Sequence, residues 1–197
     1  MTPISKQRPH AEQRLQQRAE TLLAHLPSVV VTKLCRIQLL CLDVDGVLTN
    51  GQLIYHSDGS ESKAFNTQDG HGLKTLAATG IELAIISGRQ SVMVERRAAE
   101  LGIKHLYQDS SDKTLALIEL AAATQLDPSV MAHVGDDLPD LALFDRVGCA
   151  CTVADAHPLV RERADLISTL PGGRGAVREL CEQIMIAQGT WPYLNPA

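Results

Sequence analysis

Four short segments of the chain concentrate carboxylates, a hydroxyl and a lysine. Asp43-Val44-Asp45-Gly46-Val47 sets two acids two residues apart, and Ser87-Gly88-Arg89 puts a hydroxyl beside a glycine. Asp109-Ser110-Ser111-Asp112-Lys113 ends a polar turn in a lysine, and Gly135-Asp136-Asp137-Leu138-Pro139-Asp140 adds three further acids. In extended backbone, residues two apart face the same side, so the Asp43 and Asp45 carboxylates can converge, and Gly46 permits a sharp turn. Two acids that close repel unless a cation intervenes. Asp136 and Asp137 supply more oxygen ligands of the kind that Mg²⁺ prefers. Ser87 with Gly88 resembles a phosphate seat at a helix N-terminus, and Lys113 can balance the charge of a transferring phosphoryl group. Each signal alone has a plainer reading: a turn or N-cap for the acids, a cap for Ser87, a solvated helix-start residue for Lys113. Their agreement favours phosphoryl chemistry.

These segments need a scaffold that brings them to one edge. Short apolar runs recur at 37–42, 81–86, 105–107, 130–134, 148–153 and 165–167, each followed by a polar or glycine-containing turn. Between them, helical periodicity predicts helices over 70–78, 91–101, 114–125, 138–144, 158–163 and 176–187. Strands that are apolar throughout, alternating with helices, predict an α/β fold: a doubly wound, Rossmann-like parallel sheet covered on both faces. Ligands of such sheets gather at the carboxyl ends of the strands, where the four segments fall. The stretches 51–55 and 60–65 flank His56-Ser57-Asp58-Gly59, and Asp-Gly predicts a β-hairpin inserted after the first strand. Residues 1–33, weakly amphipathic and interrupted at Pro27, are expected to form an N-terminal helical appendage. The main domain is expected over 34–190 and a tail over 191–197. No segment is long enough for a cap domain.

The balance of the chain narrows the partners. Eighteen Lys and Arg against 23 Asp and Glu leave a formal charge of −5, and only 3% of residues are aromatic, which argues against nucleic-acid binding. No apolar run suits a signal peptide or a membrane span, so a cytoplasmic location is expected. The five cysteines lack zinc-site spacing and read as reduced thiols, most of them buried. The run Gly172-Gly173-Arg174-Gly175 lacks nucleotide-loop spacing and reads as a flexible loop.

The order Asp43-x-Asp45-Gly-Val-Leu-Thr, Ser87-Gly-Arg, Lys113 and Gly135-Asp-Asp-x-x-Asp140 resembles the four motifs of the haloacid dehalogenase superfamily of phosphohydrolases. Lys63-Ala-Phe-Asn66, Gln68-Asp-Gly-His-Gly72, Val153 to Pro158 and Gly172 to Glu179 are similar to its small capless members that dephosphorylate 3-deoxy-D-manno-octulosonate 8-phosphate, a lipopolysaccharide precursor. The similarity runs over about residues 36 to 190. It implies a Mg²⁺-dependent phosphatase in which Asp43 is the nucleophile and Asp45 the general acid and base. The metal ligands would be Asp43, Asp45 through its backbone carbonyl, and Asp136, with Asp137 in support. Ser87, Gly88 and Lys113 would bind phosphate, with Asp140 orienting Lys113. Thr49, Lys63, Asn66, Gln68, Arg89 and Arg174 would contact the sugar acid. The resemblance further implies a homotetramer in which hairpins associate and each subunit helps cover its neighbour's site. Asn50, Gln68 and His71 stand where family members usually carry Asp, Arg and Tyr. The rival readings are a phosphatase of a nine-carbon keto acid phosphate of the sialic acid type, and a non-catalytic phosphatase-like module. Receiver domains, a further comparison, carry their acceptor Asp on the third strand, whereas the acid pair here follows the first.

Overall fold

The computed structural model describes residues 8–194. Its centre is a six-stranded parallel sheet whose strands, in spatial order, start at His105, Glu82, Leu39, Met131, Cys149 and Leu166. The strands are β1 (Leu39–Leu42), β4 (Glu82–Ile86), β5 (His105–Tyr107), β6 (Met131–Val134), β7 (Cys149–Thr152) and β8 (Leu166–Ile167). Alternate strand residues face opposite sides, and both sides are apolar, so the sheet must be covered twice. Leu40, Leu42, Leu83, Ile85, Ala132 and Val134 pack on one face against α1 (Arg8–Ala24), α2 (Ser28–Leu34), α3 (Thr67–Ala77), α4 (Val92–Leu101) and α8 (Ala176–Ala187). Leu39, Cys41, Ala84, Ile86 and Met131 pack on the other against α5 (Lys113–Thr124) and α6 (Leu141–Phe144). Helix α7 (Pro158–Arg163) adds Val160 to a smaller cluster with Phe144 and Val153.

The chain runs outward from β1 through β4 to β5, then returns to lay β6 on the other side of β1. The loops leaving β1 and β6 therefore diverge, opening a crevice at the carboxyl edge. The expected hairpin is present as β2 (Ile54–Tyr55) paired antiparallel with β3 (Glu61–Ser62), and Gly59 at φ +85° closes its turn.

One expectation needs correction. Helix α3 starts at Thr67 rather than residue 70, because Asn66 caps it by accepting the Gln68 N–H at 2.7 Å. Gly70 and Gly72 lie within the helix at close approaches: a Cβ would stand 2.1 Å from Arg97 Nη2 at Gly70 and 3.1 Å from the Arg178 Cα at Gly72. The boundaries at 33/34 and 190/191 mark no break in packing. Val30, Leu34 and Trp191 belong to the main core, and Gln188 Nε2 donates to the carbonyls of Leu34 and Ile37. Residues 1–7 and 195–197 of the expected appendage and tail lie outside the described residues. Cys41, Cys149, Cys151 and Cys181 are buried free thiols, and Cys35 is exposed.

Candidate active site

Each strand end at the crevice delivers one part. Asp43 follows β1 and stays in the ladder, donating its N–H to Val134 O at 2.9 Å. The chain then turns sharply through Gly46 at φ +95°. Thr49 braces this turn: its hydroxyl donates to Val44 O and accepts from the Gly46 and Gly51 N–H groups. Ser87 follows β4, and its main chain is tied to the next loop by the Ser110 N–H at 3.1 Å. Lys113 opens α5 after the N-cap Asp112. Asp136 and Asp140 follow β6, where Gly135 leaves room for the Asp140 carboxyl, whose Cγ would stand 2.2 Å from a Cβ there.

Lys113 Nζ lies between Asp43 Oδ1 at 2.8 Å and Asp140 Oδ1 at 2.7 Å, and all three side chains are buried. Asp140 is the hub. Its Oδ1 also accepts from His133 Nε2 at 2.9 Å, and its Oδ2 accepts the Asp136 and Asp137 N–H groups. Burial disfavours the Asp140 anion, yet the His133 and Lys113 hydrogen bonds outweigh that and hold its carboxyl well below the usual range. Burial likewise tends to neutralise Lys113, but Asp43 and Asp140 push its pKa up, so it stays charged. Asp43 is pushed up by burial against the pull of Lys113. Asp136 rises to about 7, through burial first and then the charges of Asp43, Asp140 and Asp137.

Those carboxylates are arranged for a cation. One oxygen each from Asp43, Asp136 and Asp140 falls within 4.8 Å of the others. Asp140 is already saturated by four donors, which leaves Asp43 and Asp136 as the pair with oxygens to offer. A hard divalent ion suits such donors, with water completing its shell.

Most of the sequence-derived residues line one of three cavities. Asp43, Asp45, Ser87, Gly88, Arg89, Lys113, Asp136 and Asp137 line one cleft of about 450 Å³. Within it, Asp45 is bound by Lys63 and lies 3.7 Å from Arg89 Nε, which places it outside the cluster of three acids. Asp137 caps the turn at Leu138. Arg174, Asn50 and Asn66 line a second cavity, and Gln68 and His71 a third, between α3 and α8. Thr49 is 2% exposed, with its hydroxyl bonded within the turn.

Two further expectations change. Ser87 is not at a helix N-terminus, since α4 begins at Val92 after Ser91; it lies in the preceding loop with its Oγ accepting the Arg89 N–H. The Gly172–Gly175 loop is pinned, not free. Gly173 N–H donates to Val47 O, Gly172 N–H to Asp155, and a Cβ at Gly172 would stand 1.7 Å from Gly46 O. These glycines serve close backbone approach. Sequence reasoning missed His133 and the cleft residues Ser110 and Ser111. A lone histidine within an apolar strand run offers no signal of its partner.

A family model of haloacid dehalogenase-like hydrolases matches residues 105–177, which include Lys113, Asp136 and Asp140. The 3-deoxy-D-manno-octulosonate 8-phosphate phosphatase KdsC of Escherichia coli K12 is 48% identical over 160 residues, 81% of this chain and 85% of that protein. The chain belongs to the haloacid dehalogenase-like hydrolases. Among solved haloacid dehalogenase-like structures, the 3-deoxy-D-manno-octulosonate 8-phosphate phosphatase of Yersinia pestis superposes with a TM-score of 0.82 at 44% identity, covering 86% of this chain and 90% of that one. The phosphatase of that name from Moraxella catarrhalis, in complex with magnesium, phosphate and KDO, gives 0.81 at 47% identity, covering 82% and 93%. Asn50, Gln68 and His71, where the resemblance led to expecting Asp, Arg and Tyr, all line the outer cavities rather than the cleft.

Proposed function

We propose that the protein is a Mg²⁺-dependent phosphatase of 3-deoxy-D-manno-octulosonate 8-phosphate. The observation that carries this reading is the buried Asp43–Lys113–Asp140 chain beside Asp136, in a chain nearly half identical to phosphatases of that substrate. Asp43 attacks phosphorus; the new Oδ–P bond forms as the bond from phosphorus to the sugar oxygen breaks. Asp45 gives its proton to the departing sugar oxygen and then takes one from water, which attacks the aspartyl-phosphate and frees inorganic phosphate. Ser87 and Lys113 hold the phosphoryl oxygens. Asp140 keeps Lys113 placed between itself and the nucleophile. Asp43, Asp136 and the Asp45 carbonyl would hold Mg²⁺, which when bound offsets the negative charge between phosphate and nucleophile. Arg174 and Arg89 supply positive charge for the substrate carboxylate.

The working form is a homotetramer. The hairpin exposes Leu53, Ile54 and Tyr55, the last 65% exposed, and a two-stranded ribbon is marginal alone. A neighbouring subunit would bury that ribbon and close a cleft that the described residues leave uncapped. No helix of the described residues is long and apolar enough to cross a membrane, and a cytoplasmic location fits the substrate.

The test is phosphate release from a panel of eight- and nine-carbon sugar acid phosphates, with and without Mg²⁺. Preference for the eight-carbon substrate, lost on chelation, is expected. Preference for the nine-carbon one reassigns the substrate, and inertness toward all of them overturns the reading.

A further inference from the structure

The N-cap of helix α8 is Gly175, which sits at φ +101° and has no side chain with which to cap the helix. Its first-turn donors are taken instead by Asp69 of α3. Arg178 N–H donates to Asp69 Oδ1 at 2.8 Å, and Gly175 N–H to Oδ2 at 3.3 Å. Asp69 is 1% exposed, so a carboxylate has been brought out of water to cap a helix more than one hundred residues away in the chain. Such a cap satisfies otherwise orphaned N–H groups and complements the positive end of the helix. The neighbouring Asn66, itself the cap of α3, donates from Nδ2 to Gly173 O at 3.3 Å. The first turns of α3 and α8 are thus stitched together across the Gly172–Gly175 loop.

The other side of that loop rests on the turn that follows Asp43. Gly173 N–H reaches Val47 O at 2.9 Å, and a Cβ at Gly173 would stand 2.5 Å from the Thr49 carbonyl carbon. Gly172, Gly173 and Gly175 are consumed in these contacts. Arg174 alone of the four presents an exposed side chain, at the cavity it shares with Asn50.

We propose that Asp69 is a positioning residue for substrate recognition: by capping α8 it fixes the Gly172–Gly175 loop against the nucleophile turn, and so sets Arg174 in place for the substrate's carboxylate. This rests on the reading of Arg174 as a substrate contact in a sugar acid phosphatase. The physical argument is preorganisation. A guanidinium on a tethered loop binds an anion without first ordering the loop, whereas a freed loop must be ordered at the expense of affinity.

The experiment measures KM and kcat for Asp69→Ala, Asp69→Asn, Arg174→Ala and the double variant Asp69→Ala/Arg174→Ala. The substrates are 3-deoxy-D-manno-octulosonate 8-phosphate and p-nitrophenyl phosphate, which has no carboxylate. Asp69→Ala is expected to raise KM for the sugar acid phosphate about tenfold and to lower the sugar-to-aryl ratio of kcat/KM by a similar factor. The double variant should be no worse than Arg174→Ala, because both changes remove one interaction. Multiplicative losses in the double variant, or equal losses on both substrates, overturn the proposal. Should Asp69→Ala fail to fold, Asp69→Asn with hydrogen exchange decides. Faster exchange at the Gly175 and Arg178 amides together with a raised KM for the sugar acid phosphate upholds the proposal; unchanged protection or unchanged KM defeats it. A wild-type enzyme active on aryl phosphate but indifferent to the carboxylate would instead sink the underlying reading, and this inference with it.

Discussion

Gly46 and Asp136 are in contact that leaves no room for a side chain between them: a Cβ at Gly46 would stand 2.0 Å from Asp136 Oδ2. The turn after β1 and the loop after β6 meet there, so the spacing of the acid cluster depends on a missing methyl group. With φ at +95°, the position also resists any L side chain. Gly46→Ala is expected to lower kcat by about a hundredfold or more and to abolish thermal stabilisation by Mg²⁺. Kinetics within about threefold of wild type would show that the contact does not set the site.

Asp43→Asn keeps the shape of the nucleophile and removes its attacking charge, so turnover should fall by at least about 10⁴-fold in a folded protein. Asp45→Asn should still form phosphoenzyme from an aryl phosphate, whose leaving group needs no proton. Single-turnover assays that find the two variants identical would contradict this division of roles.

Proton and metal compete at Asp136. Its carboxyl is raised from 3.8 to about 7, so between those values the folded protein holds a proton that the unfolded chain has released, and folded stability falls as pH rises through that window. A divalent cation relieves the same crowding but needs the anion. Mg²⁺ should therefore raise Tm more at about pH 8 than at about pH 5.5, reversibly with chelator; equal shifts at both would argue against Asp136 as a ligand.

Removing Asp140 leaves Lys113 and His133 short of a buried partner. Asp140→Ala should cost about 3–5 kcal/mol by urea denaturation, and more activity than Asp140→Asn, which retains one acceptor for Lys113. A loss below about 1 kcal/mol would mean that the hub is dispensable for stability.

Tyr55→Glu, at the exposed hairpin, places charge in the proposed contact between subunits. Light scattering should report a smaller particle with reduced activity on the sugar acid phosphate. A fully active monomer in the wild type would remove the shared-site proposal.

Asp43, Asp45, Ser87 and Asp136 were legible in the sequence because each comes just after an apolar strand run, and Lys113 because it ends the polar turn that follows another; strand ends converge in a doubly wound sheet. The pairing of Lys113 with Asp140 followed from the motif resemblance, and the structure shows the bond at 2.7 Å. Asp69 was not, since an acid in the first turn of a helix looks like an ordinary terminus residue, and its partners lie at the start of another helix. Asn66 and Thr49 resembled substrate contacts by motif, but their cap and turn roles were not legible, because the backbone groups they bond cannot be read from the sequence. The glycines at 172, 173 and 175 suggested freedom, because sequence does not reveal what presses against a missing side chain.

The bonds that assemble the cleft and the loop beside it span the chain: Lys113 reaches Asp43 across 70 residues, and Arg178 reaches Asp69 across 109. No local stretch can assemble this constellation before the strands are in register, and contacts of such separation tend to make folding slow. Catalysis is therefore an all-or-none reporter of topology. A refolding chain with native helical content yet unpaired β1 and β6 would give the full helical circular-dichroism signal and no phosphate, so regained turnover dates the final docking of the two loops.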